Sequence, residues 1–361
     1  MFEPMTESSS RRAAAPRRIF ALALAALLAV PAVSQQPPAA QPQPPQAAPQ
    51  TSFRASVSEV IVPVTVTDER GRFVSNLEAA DFKVYDQGQE QRIEFFSRDR
   101  NQPVVVGFLL DLSNSSRLHW KTFQEAAQEL VWALLPGEKK FSGYLITYSN
   151  EAELAVNTTT DSDKIAERIR KLKPGGGAAL YDALYMACTN RALVKGEPYE
   201  PRRVIIVIGD GNDNASKKSL DQVIELAQRN LVTVYGLSTQ AFGFSASGDS
   251  NLQRLAEATG GRVEYPLEDL YKDVAGHLST PSDEGNYALK VGTGGYAAQI
   301  AKGIVQSVGG IVGEVTTQYI LRYSPDIGPG SDTRQFRNIR VSVNLENVKI
   351  RHRKGYYPYA P

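Results

Sequence analysis

The stretch VVVGFLLDLSNS, residues 104–115, and its counterpart RRVIIVIGDGND, residues 202–213, each run an apolar segment into an aspartate. Unbroken Val/Ile/Leu runs of this length, with helical patterns between them, predict central strands buried on both faces of a parallel sheet. Open α/β sheets bind ligands in the crevice at the carboxyl ends of their strands. Two acidic, hydroxyl-rich loops at that edge, Asp111 to Ser115 and Asp210 to Asp213, therefore predict an oxygen-lined cation site.

Working outward, strands are expected over 104–110, 141–149, 152–156, 203–209 and 231–238. Helices are expected over 120–135, 161–172, 180–193, 218–230 and 250–260. Asp161 and Asp221 lie near two helix starts and Gly260 follows a helix end, as capping requires. The alternation predicts an α/β fold, a doubly wound, mostly parallel sheet with helices on both faces.

Around this core the periodicity changes to two. SEVIVPVTVTD, residues 58–68, alternates, ERGRFVSN turns the chain, and residues 81–97 predict two strands joined by Asp86-Gln87-Gly88-Gln89. Pro63 suits an edge strand or a strand start. After the core, 318–324, 337–345 and 348–354 have strand character. Each set is too small for its own core, so one β-sandwich-like unit is expected from both segments, with the α/β domain inserted between them. Residues 300–315, IAKGIVQSVGGIVGEV, are too short to span lipid and predict a buried, glycine-rich helix.

The middle region resembles a von Willebrand factor type A domain. That family's metal-ion-dependent adhesion site begins with D-x-S-x-S, present as Asp111, Ser113 and Ser115, and its second aspartate matches Asp210. Its middle element, usually Gly-Gly-Thr-Ala-Leu-Tyr-Asp-Ala, matches Gly176 to Ala183, with Ala178 in place of the metal-ligating threonine. The flanks resemble those of a secreted, largely acidobacterial group of type A-related proteins, through residues 62–97, YILRYSPD and KIRHRKGYYPYAP.

The resemblance implies metal ligation by Asp111, Ser113, Ser115 and Asp210, the serines directly and the aspartates mostly through water. Mg²⁺, or Mn²⁺ or Ca²⁺, would be the cofactor, bound weakly or not at all because Ala178 offers no oxygen. The implied partner is a protein presenting an acidic side chain to the ion. Asp182 and Asp213 are candidate outer-shell groups. The alternative is that Asp111 and Asp210 only cap helix N-termini, in a metal-free structural or assembly component of the cell envelope.

The N-terminus predicts export. Arg11, Arg12, Arg17 and Arg18 precede IFALALAALLAV and the small residues Ala32 and Ser34, the pattern of a signal peptide over 1–34. The apolar run is shorter than the ~20 residues of a membrane span, so no permanent span is expected after cleavage. The destination is the periplasm, cell surface or medium. Residues 35–51, rich in Pro, Gln and Ala, predict a linker. The expected domains are then the β segment 52–98, the type A-like domain 103–317 and the β segment 318–361.

Composition removes other classes. Lys and Arg total 40 against 39 Asp and Glu, and without the first 34 residues 36 against 37, so no nucleic-acid partner is expected. Cys188 sits in an apolar helical pattern as a structural thiol. The glycine run 174–180 lacks the Lys-Ser/Thr of a phosphate loop. His119, His277 and His352 lack metal-ligand spacing. No activated nucleophile or acid–base pair is discernible, so no enzyme is expected.

Overall fold

The structure, a computed structural model, describes residues 59–98, 103–117, 119–190, 193, 201–240, 247–267, 293–327, 332 and 334–358. The expected signal peptide, the linker and His277 lie outside the described residues.

Four strands open the chain: β1 (Val60–Asp68), β2 (Phe82–Asp86), β3 (Gln89–Gln91) and β4 (Phe95–Ser97). The α/β core follows as β5 (Val104–Asp111), α1 (Trp120–Leu134), β6 (Phe141–Tyr148), β7 (Ala152–Thr159), α2 (Ser162–Arg170), α3 (Leu180–Thr189), β8 (Arg202–Gly209), α4 (Leu220–Arg229), β9 (Val232–Ser238), α5 (Ser247–Thr259) and β10 (Val263–Glu264). A long helix, α6 (Thr293–Thr317), leads to β11 (Tyr319–Tyr323), β12 (Arg337–Val343), β13 (Val348–His352) and β14 (Gly355–Tyr356).

The central sheet has the order β10-β9-β8-β5-β6-β7, parallel throughout except for the β6–β7 pair. Strands β5 and β9 are buried along their length because both faces are covered. Alternation along β5 divides the core. Val104, Val106, Phe108 and Leu110 pack with α1, α2 and α6, whereas Val105 and Leu109 pack with α3, α4 and α5. Helix starts follow the local chemistry. The Asp161 carboxylate accepts from the N–H groups of Asp163 and Lys164, and Ser219 with Gln222 forms a capping box ahead of Asp221.

The remaining strands form two four-stranded antiparallel sheets, β13-β1-β11-β4 and β14-β12-β2-β3, which share one core of Val62, Val64, Val84, Tyr319, Leu321 and Val341, among others. Chain segments on both sides of the α/β core thus build one β unit, as expected. The turn between β2 and β3 has positive φ at Gln87 (50°) and Gly88 (83°), the backbone of a tight hairpin.

Two expectations change. The run 89–97 is not one strand: β3 pairs with β2, β4 pairs with β11, and the chain crosses between the two sheets over 92–94. Pro63 lies inside β1, which has neighbours on both sides. It is opposite Ile320 of β11, while pairing with β13 begins only at Val64. The offset leaves Pro63 with one strand neighbour, so its missing N–H costs no ladder bond.

Residues 300–315 are helical, as expected, but amphipathic rather than fully buried: Ile304, Ser307, Ile311 and Glu314 are buried, and Val305 is 70% exposed. Among the described residues no helix is long and apolar enough to cross a membrane. Cys188 is buried, and burial pushes its thiol up to about 12, which suits the packing role.

Candidate metal centre

Strands β5 and β8 are adjacent and in register to Leu110 and Ile208, so Asp111 and the Gly209-Asp210 turn emerge together at one sheet edge. Both aspartates are buried, at 1% and 6% exposure. Each folds its loop back on itself. Asp111 Oδ1 accepts the Ser113 N–H at 2.7 Å. Asp210 accepts from the Asn212 N–H at 3.0 Å and the Asn212 side-chain amide at 2.7 Å. Neither carboxylate caps an α-helix; both close short Asx turns that aim the following residues. Ser113 Oγ and Ser115 Oγ are 2.7 Å apart, one buried and one exposed, so two hydroxyls converge at the surface end of the Asp111 pocket.

Asp111 Oδ2 is buried and has no hydrogen-bond partner among the described residues. Burial raises the Asp111 carboxyl to about 6, opposed by the Ser113 N–H and reinforced by the charge of Asp210. A buried carboxylate oxygen without a donor is costly, and a cation relieves that cost directly. The donors Asp111, Ser113, Ser115 and Asp210 are all oxygens, the set that suits a hard divalent ion. The residues present therefore fit the metal that the type A resemblance implies.

A third loop completes the edge. The Gly175 N–H donates to Leu112 O, and the Asn114 N–H donates to Gly176 O at 3.0 Å. Gly176 has φ +108°, a backbone that favours glycine, and a side chain there would crowd Asn150. Asn150 accepts the Gly177 N–H at 2.6 Å, and Asn214 accepts the Ala178 N–H at 2.8 Å. Ala178 O in turn accepts from the N–H groups of Asn214 and Ala215. Ala178 is thus held in the loop expected for the threonine ligand, 2% exposed, with a methyl group where a hydroxyl is expected.

Asp213 and Asp182 serve as braces. Asp213 accepts the Tyr181 N–H at 2.8 Å and the Ser216 hydroxyl at 2.6 Å, which caps α3 from another loop. Asp182 accepts the N–H groups of Lys217 and Lys218. His352 is a packing residue, its ring bridging Arg353 O and the Val341 N–H.

Tyr148 and Gly209 also shape the centre and were not legible beforehand. The Tyr148 hydroxyl is buried without a partner among the described residues, and the charges of Asp111 and Asp210 add to burial in raising it. A Cβ on Gly209 would meet that hydroxyl and lie 2.8 Å from Asp111 Cβ. The glycine ending the apolar run was the available signal.

The model of the von Willebrand factor type A domain matches residues 106–274. No curated protein matches the chain. Similar solved structures include the vWF domain of the type V pili tip protein Mfa5 from Porphyromonas gingivalis, at 23% identity and TM-score 0.29, covering 31% of this chain and 39% of that one. Proximal thread matrix protein 1 from the mussel byssus, with a zinc-occupied MIDAS motif, is 18% identical with TM-score 0.37, over 47% and 42%. An aerotolerance-related membrane protein from Bacteroides fragilis is 18% identical with TM-score 0.36, over 57% and 98%. The match spans less than half of the pilus-tip and mussel chains. Strand order, loop motifs and family match agree: over residues 106–274 the chain carries a von Willebrand factor type A domain, generally a protein-interaction module rather than an enzyme.

Proposed function

We propose that this is an exported protein-binding module of adhesion type, whose type A domain recruits a partner's acidic side chain through a divalent cation at the Asp111/Ser113/Ser115/Asp210 edge. The observation that carries this reading is the buried, partnerless Asp111 Oδ2 beside the two converging serine hydroxyls. A bound Mg²⁺ or Mn²⁺ would supply a Lewis-acidic position for a carboxylate. The chain's own part is to hold its oxygens at fixed spacing, with Asp111 and Asp210 anchored by their Asx turns and the glycine loop stitched to both. Only one or two carboxylates are needed, because Mg²⁺ keeps several waters.

Water-proton relaxation with Mn²⁺ tests the reading. The full mature chain should bind Mn²⁺ with enhanced relaxation that falls when a glutamate-containing peptide displaces water, and Asp111→Ala should abolish both effects. Identical titrations for the two proteins would contradict it. Ala178 supports the second reading, a metal-free structural component of the envelope, because it removes one oxygen from the site. Export rests on the basic-then-apolar leader: sequencing the protein from its native envelope or medium should give a start near Gln35, and an intact Met1 would count against it.

A further inference from the structure

Strands β5 and β6 pair in register as far as Asp111 and Tyr148, and the Leu112 N–H donates to Tyr148 O at 2.8 Å. Tyr148 is thereby fixed one strand over from the first aspartate of the candidate centre. Its side chain is 1% exposed and belongs to the apolar cluster of Leu109, Ile146 and Val207. The hydroxyl ends against Gly209, at the close of β8. A Cβ on Gly209 would collide with the Tyr148 hydroxyl oxygen and lie 3.2 Å from Asp111 Oδ2. Gly209 has no positive φ, so this close approach, and not backbone conformation, is what calls for a glycine.

Two buried polar atoms therefore flank one point beneath the centre. The Tyr148 O–H is a donor without an acceptor, and Asp111 Oδ2 an acceptor without a donor, among the described residues. The charges of Asp111, Asp210 and Asp213 all bear on the phenol. Buried polar groups are costly unless they are hydrogen-bonded, so a donor and an acceptor left over at the same point need a common partner. The two do not bond each other directly, but one water between them would accept from the phenol and donate to the carboxylate. Mg²⁺ and related hard cations keep several waters of their own. A water on such an ion spends one lone pair on the metal, which leaves the other for the Tyr148 proton and a proton for Asp111 Oδ2.

We infer that Tyr148 is a positioning residue of the cation centre: its hydroxyl, together with Asp111 Oδ2, holds a water of the cation's shell at the floor of the site. The inference rests on the cation reading of the Asp111/Ser113/Ser115/Asp210 edge and adds to it a contact from β6. Gly209 is the complement of that contact, because a side chain there would push the phenol away from Asp111.

Mn²⁺ titration of the mature chain, followed by the EPR signal of the free ion, tests the inference with Tyr148→Phe against Tyr144→Phe. Tyr144 is buried in the same cluster on the same face of β6, roughly 13 Å back along the strand, and its hydroxyl ends against Gly107. Tyr148→Phe should weaken Mn²⁺ binding about tenfold, the low end for one hydrogen bond to a charged group. Tyr144→Phe should bind as wild type does. Melting adds a readout that lost packing would not produce. In chelator Tyr148→Phe should melt at or above wild type, because the lost hydroxyl has no partner there, yet its magnesium-dependent rise should be the smaller. Equal Mn²⁺ affinity in wild type and Tyr148→Phe, with wild type binding, would overturn the inference and leave the cation reading standing. Equal weakening in both tyrosine variants would overturn it too, as an effect of packing. So would melting of Tyr148→Phe well below wild type in chelator, which would show the hydroxyl already bonded in the metal-free fold. Absence of Mn²⁺ binding in wild type would remove the cation reading and the inference together.

Discussion

Asp111 is the residue on which the energetics of the candidate centre turn. Its carboxyl is held near 6 in the fold, against about 3.9 for an unfolded aspartate. The folded, metal-free protein therefore takes up the proton more readily than the unfolded chain. The resulting stabilisation is fully present below the unfolded value and is lost as pH rises through about 6. At neutral pH the charged group opposes folding by up to about 3 kcal/mol. Asp111→Asn should accordingly melt above wild type in chelator at pH 7, with the advantage disappearing near pH 4. Added Mg²⁺ should stabilise wild type and leave the variant unmoved. Equal destabilisation of the variant at both pH values would show that burial does not strain this carboxylate.

At the scale of elements, α6 is anchored through one buried acid. Glu314 is fully buried, accepts from Thr65 of β1 at 3.2 Å, and pairs with Arg351 of β13 at 2.7 Å and with Arg262 at 2.8 Å. Gln318, just beyond the helix, bonds both Thr65 and Tyr235 of β9. The helix thereby joins the central sheet to the β unit. Removing Glu314 leaves Arg351 without its acid and Arg262 with Glu264 alone, so Glu314→Ala should cost about 3 kcal/mol in urea denaturation. A loss below about 1 kcal/mol would mean that apolar packing alone holds α6. None of this was legible in the sequence, because Thr65 and Glu314 lie far apart in the chain and Glu314 sits in an apolar helical pattern. The central strands were legible, since burial on both faces leaves an unbroken apolar run such as 104–110. So were the serine and aspartate loops, which follow those runs directly. Period-two pattern could not place the sheet change at 92–94, because both halves keep the alternation of a single strand. The Tyr148 and Gly209 contacts were equally hidden, because they depend on strand register rather than on local pattern.

For the molecule as a whole, β1 lies between β13 and β11, so segments from the two sides of the type A domain must meet before either sheet closes. A ligand that binds the native fold should therefore stabilise the cooperative unit as a whole, by RT ln(1 + [L]/Kd). That makes melting of the intact chain a direct reader of the metal centre. The loop around Ala178 is held by Asn214 and Ala215 on one side and by Asn150 at Gly177 on the other, so a hydroxyl restored at this position should join the oxygen set. The deciding measurement is the magnesium-dependent shift in melting temperature of wild type, Ala178→Thr and Asp111→Ala, each repeated with chelator. The account expects a small rise for wild type, a larger one for Ala178→Thr, none for Asp111→Ala, and complete reversal by chelator. The same magnesium response in all three proteins would contradict it.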